Sequence, residues 1–252
     1  LILKFDVYMR SLDVYRKIHM YLPDDYLVQN KKYPVLYMFD GHNLFYDEDA
    51  TFGRSWRLAE AIERFGKELI VVGQECSHEG NERLDEYSPY PFYDCAFGAF
   101  HGKGNLTMEF FVNDLKPYID AHFPTSPKRE HTWIGGSSCG GLMALYAVFK
   151  YSHIYSKGLV LSPYLVPTCN LLMADIASTY IRPGTAVYMS WGAQEGNDMH
   201  EFVMETKCCT DIANLLLKKG TRLQFNVKPL GRHCEEDWDK ESETFLRFLE
   251  SA

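Results

Sequence analysis

A chain of 252 residues, 46% hydrophobic and 15% aromatic, carries enough apolar side chain for a substantial core and fits one α/β domain over 1–252 better than two. Its net charge of -8 sets it against polyanions, which excludes a large nucleic-acid footprint or a polybasic membrane anchor. Seven cysteines, odd in number and without a C-x-x-C pair, predict reduced thiols in a cytoplasm, with neither a disulfide framework nor a zinc site. No apolar run reaches transmembrane length, so no membrane partner is expected, and a chain opening on Leu1 is silent about a leader.

Taken in order, residues 1–6 alternate like a strand, and Val14, Ile18, Met20 and Leu22 mark a second one before the Pro23-Asp24-Asp25 turn. Pro34 to Phe39 is an apolar run suited to a strand buried on both faces, and it ends in Asp40-Gly41-His42-Asn43. Ligand crevices of open α/β sheets lie outside the carboxyl ends of the strands. Asp40 and Asn43 are therefore candidate substrate contacts, Asp40 equally a turn former, and Gly41 lets the chain aim the His42 amide. Ser55 is placed to cap a helix from Trp56 to about Lys67, before a second buried strand, Leu69 to Gly73. Residues 74–104 are aromatic and aperiodic, a functional or mobile segment that forms part of a substrate wall or packs on the sheet. A helical stripe from about Met108 to His122 leads to the strand His131 to Ile134.

That strand enters Gly135-Gly136-Ser137-Ser138-Cys139-Gly140-Gly141 and then an apolar helix. Strand, tight turn and helix with Gly136-x-Ser138-x-Gly140 is the form of a nucleophile elbow, in which a strained turn lifts a serine hydroxyl clear of the backbone. Centring the pattern on Ser137 would put Cys139 where a second small residue belongs, so Ser138 is the candidate nucleophile. A phosphate loop would require the lysine of G-x-x-x-x-G-K-[ST], which is absent. Beyond the elbow, strands at 158–163, 185–191 and 223–227 alternate with helices at 169–181, 201–219 and 235–249, the signature of a mostly parallel sheet with helices on both faces.

Elbow hydrolases set their triad in the order serine, acid, histidine, on loops after later strands. Glu195 and His233 satisfy that order, with Asp198 a rival acid further from the strand end. His233 would take the proton of Ser138 and return it to the leaving alcohol, and backbone amides of His42 and Cys139 would hold the oxyanion. Activity should then fall at acid pH as His233 takes up a proton. His42 is the weaker candidate base, and His78, His101, His122 and His200 read as surface or core residues.

Five stretches occur together in order: Tyr37 to Phe45, Glu82 to Pro89, Gly135 to Gly141, Trp191 to Glu195 and Gly231 to Trp238. With them the chain resembles the α/β-hydrolase family that takes in esterase D, feruloyl and acetylxylan esterases, siderophore trilactone esterases and bacterial mycolyltransferases. The resemblance implies an α/β-hydrolase fold, Ser138 as nucleophile, Glu195 as acid, His233 as base and the amide after Asp40-Gly41 as oxyanion donor, with no cofactor. Cys139 stands where the family often has methionine or another apolar residue, and only its amide is needed. Cys139 and Cys234 put thiols beside Ser138 and His233, so thiol reagents should block the pocket. The expectation is a carboxylesterase acting on a small acyl or polar-conjugate ester; acyl transfer by the same triad and a non-catalytic binding protein are the alternatives.

Overall fold

The computed structural model describes residues 1–28 and 30–251. Strands β1 (Ile2–Met9) and β2 (Val14–Tyr21) form an antiparallel hairpin, and β2 pairs antiparallel with β4 (Ile70–Gln74). Beyond it run β3 (Val35–Phe39), β7 (Thr132–Ser138), β8 (Lys157–Pro163), β9 (Ala186–Gly192) and β10 (Arg222–Lys228), all parallel, in the sheet order β1-β2-β4-β3-β7-β8-β9-β10. A separate two-stranded hairpin joins β5 (Phe92–Asp94) to β6 (Gly98–Phe100).

Helices α1 (Leu58–Arg64), α2 (Glu82–Glu86), α3 (Gly104–Phe110), α4 (Lys116–His122), α5 (Cys139–Lys150), α6 (Cys169–Ser178), α7 (Met199–Lys218), α8 (Glu235–Asp239) and α9 (Ser242–Glu250) connect them. In β3 every residue is buried, Val35, Tyr37 and Phe39 in one apolar cluster and Leu36 and Met38 in the other. Side chains that alternate between two cores mark a strand covered on both faces, as its unbroken apolar run requires.

Several local expectations change. Ser55 caps no helix: its Oγ donates towards Asp47 Oδ1 at 2.9 Å and Phe45 O at 3.2 Å, and α1 begins only after Arg57, whose φ of 49° breaks the helical path. The stripe at 108–122 starts at Gly104 and passes through a π turn, Phe111–Leu115. The last helix divides at Lys240-Glu241, where buried Glu241 accepts from Tyr188 at 2.5 Å and Lys228 at 2.6 Å and so is drawn onto the sheet. Within 74–104 lie α2 and the β5–β6 hairpin.

The cysteine reading is corrected. Cys169, at the start of α6, is disulfide-bonded to Cys208 in α7, with Cα atoms 6.1 Å apart. A pair separated by 39 residues leaves no spacing signature, and only the packing of α6 against α7 brings it together. Among the described residues no helix is long and apolar enough to cross a membrane.

Candidate active site

Parallel strands align their carboxyl ends along one rim, and five of them, β3, β7, β8, β9 and β10, deliver the site. Ser138 ends β7 with φ 57° and ψ −126°, a conformation that L residues adopt only under constraint. Constraint is supplied by close approach: a Cβ on Gly136 would stand 2.6 Å from the Gly140 carbonyl carbon, and one on Gly140 would stand 2.9 Å from Phe39 Cβ. The helix α5 can therefore pack directly on the sheet, with Cys139 to Phe149 all buried. Its first-turn amides, Cys139 N–H among them, have no intrahelical acceptor and point the positive end of the helix at Ser138.

Past β9 and β10 the chain brings Glu195 to His233. Glu195 Oε2 lies 3.0 Å from His233 Nδ1, while Oε1 accepts from Ser162 Oγ at 2.7 Å and from Gly192 N–H at 2.5 Å. Ser162 is held in the left-handed region, φ 44°, at the end of β8, and its hydroxyl oxygen accepts from buried Trp238 Nε1 at 2.9 Å. The Trp238 ring also stands edge-on to the His233 ring, centroids 5.2 Å apart. So the carboxylate is fixed by two donors on one oxygen and presents the other to the imidazole. Asp198 does different work: its carboxylate caps α7 by accepting from Glu201 N–H at 2.9 Å. His233 is 37% exposed and Ser138 half-buried, and no hydrogen bond joins their side chains. Serine–histidine pairs of this kind often close only around a substrate.

Opposite, the turn Gly41–Asn43 follows β3, and the His42 amide lies ahead of the first bond of that turn, Asn43 N–H to Asp40 O. Asp40 sits in the left-handed region with both carboxylate oxygens taken by Arg83, at 2.8 and 2.7 Å. Burial alone would raise the Asp40 carboxyl, but the Arg83 guanidinium overcomes it and holds the group below the usual carboxylate range. Asp40 N–H also bonds Tyr87 Oη, which donates to Gln74 Oε1 at 2.6 Å. Asn43 Oδ1 accepts from Thr51 N–H at 2.9 Å. Thus Asp40 and Asn43, the two expected substrate contacts, both brace the turn.

The sequence alone gave no role to Arg83, Ser162, Trp238, Glu205 or Glu235, although Arg83, Glu235 and Trp238 lie inside the stretches singled out above. Their partners are distant in the chain, so no spacing announces them. Buried Glu235 is pushed up by burial and by Asp40, with His233 and Arg83 pulling the other way, which places it at the same site. Burial, then the charge of Glu195, raises the Glu205 carboxyl to about 7. Cys139 is buried and Cys234 half-buried, so of these two thiols a reagent reaches Cys234 first.

The family model for esterases, described as "Putative esterase", matches residues 10–249. The chain belongs to this esterase family. Membership makes it a hydrolase of carboxylic esters. Among relatives, the uncharacterized protein YbbA of Bacillus subtilis is 27% identical over 220 residues, 86% of this chain and 79% of that protein. Esterase Rv1288 of Mycobacterium tuberculosis is 31% identical over 140 residues, which are 55% of this chain but only 27% of that longer protein. The IroE-like serine hydrolase from Shewanella oneidensis superposes with a TM-score of 0.78 at 18% identity, over 98% of this chain and 79% of that one. The fold is the α/β-hydrolase fold, as the resemblance implied.

Proposed function

We propose that this esterase is a serine carboxylesterase whose Ser138, His233 and Glu195 act as nucleophile, base and acid. Ser138 Oγ attacks the ester carbonyl carbon as its proton passes to His233 Nε2, and the imidazolium is stabilised across Nδ1 by Glu195. The oxyanion is received by the amides of Cys139 and His42, one at a helix start and one on the braced turn. Collapse expels the alcohol, which takes the proton from His233 and leaves an acyl group on Ser138. Water, deprotonated by the same imidazole, then releases the acid and restores the serine.

The observation that carries this reading is the 3.0 Å approach of His233 Nδ1 to Glu195 Oε2, on the rim where β7 ends in the strained Ser138. A small acyl group on a polar alcohol is the substrate class it favours. Arg83, 30% exposed and paired with Asp40, keeps charge at the rim, so a purely apolar leaving group packed on it would desolvate it without return. The test is turnover of a chromogenic ester panel, varied in acyl length and leaving-group polarity, by wild type and Ser138→Ala. Turnover should fall by roughly 10⁶-fold in the variant, on the scale seen for serine hydrolases of this logic, with short acyl groups preferred. A folded Ser138→Ala that keeps wild-type turnover would overturn the assignment.

A further inference from the structure

Behind the Gly41–Asn43 turn lies a cluster of side chains that the proposed hydrolytic steps do not use, since they call on His42 only through its backbone amide. His42, Cys76 and His78 bring one ligand atom each within 4.8 Å of one another. His42 is 96% buried; its Nε2 is engaged by Thr51 Oγ1 at 2.9 Å, and its Nδ1 is enclosed without any partner. A buried polar nitrogen left bare costs about 1–3 kcal/mol, and it needs an explanation. His78 repeats the arrangement: Glu75 Oε1 holds its Nε2 at 2.8 Å, which leaves Nδ1 to face elsewhere, and its ring meets that of His42 edge-on with centroids 4.8 Å apart. Both imidazoles thus have an oxygen partner on one nitrogen and leave the other free, the pattern that fixes the tautomer and orientation of histidine ligands.

We propose that His42, Cys76 and His78 form a site for one zinc-class divalent cation, with two imidazole nitrogens, one thiolate and a water completing four-coordination. Cys76 supplies the soft ligand that selects such a cation over magnesium or calcium. Tetrahedral bonds of about 2.0 Å to nitrogen and 2.3 Å to sulfur require ligand atoms roughly 3.3–3.5 Å apart, so from separations of up to 4.8 Å the cluster has to contract by about 1.5 Å at most. The mobile member is at hand, because His78 is 55% exposed and gives the ion its way in while His42 and Cys76 stay packed. On binding, the Cys76 S–H bond breaks, its proton leaves to solvent, and both electrons go to the sulfur–metal bond. Cys76-x-His78 falls outside the C-x-x-C spacing used to judge zinc sites, and His42 comes from another loop.

Chelator-treated full-length protein titrated with cobalt(II) reads the site directly, independently of whether Ser138 is the nucleophile. The site predicts one equivalent bound with a thiolate-to-cobalt charge-transfer band in the near ultraviolet, lost on adding zinc. Cys76→Ser should remove the band and His78→Ala should weaken cobalt binding at least tenfold, whereas Cys95→Ser and Cys234→Ser should leave both unchanged. His78 is exposed, so its variant serves even if Cys76→Ser misfolds. Absence of a thiolate band, or one that survives in His78→Ala at wild-type affinity, would overturn the proposal.

Discussion

Glu195 and Asp198 share one loop, but their carboxylates have different employment. The first is clamped by Ser162 and Gly192 with an oxygen turned to His233; the second is spent on the first turn of α7. Glu195→Gln should therefore lower kcat by about four orders of magnitude, as when a triad acid becomes an amide and the tautomer is lost. Asp198→Ala should keep kcat within about twofold while losing about 1 kcal/mol of stability with its cap. Steady-state rates beside thermal melts of both variants check this, and the reverse pattern would move the acid to Asp198. The sequence put both residues in one loop just past a strand because strand ends are legible. It could not separate them, because a cap and a triad acid look alike until the neighbours of each are known.

At the scale of elements, the close approaches define the site. A Cβ on Gly41 would overlap the Gly73 carbonyl in β4, so the turn carrying the His42 amide can lie flat on the sheet only as glycine. Gly41→Ala should push that turn outward and lower kcat by roughly 10²–10³-fold, the scale of a lost oxyanion donor, with KM changed much less. Kinetics of the purified, folded variant decide it; an unchanged kcat would remove His42 from the oxyanion hole. Strands β3 and β4 were legible because burial on both faces writes an unbroken apolar run. The β5–β6 hairpin was not, since three residues a side cannot display a period of two. Ser55 misled for the opposite reason: a good capping residue found a better partner in Asp47.

Across the whole molecule, two apolar clusters sandwich the sheet, and the acidic surplus of the chain surfaces in its pH response. Glu205 has its carboxyl raised to about 7, by burial and then by Glu195, from an ordinary 4.5. A carboxyl raised in the fold favours the native state at low pH, and that advantage is lost as pH rises from about 4.5 to 7. Above pH 7 the ionised group costs about 3 kcal/mol at most. Glu205→Gln should accordingly gain roughly 1–3 kcal/mol at pH 8, seen as a Tm several degrees higher, and little at pH 4.5. Equal shifts at both pH values would show that its ionisation is unconnected to folding. Neither this pair nor the Cys169–Cys208 bridge could be read from the chain, because each joins residues that only the packed sheet and helices bring together.

All of the proposed chemistry depends on the hydroxyl at 138 being the group that attacks. The most direct measurement is peptide mapping by mass spectrometry after exposure of the native enzyme to an active-site-directed fluorophosphonate. One adduct is expected, on Ser138, absent from Ser138→Ala and formed far more slowly in His233→Ala. An adduct on another residue, or a folded protein that takes none, would contradict it.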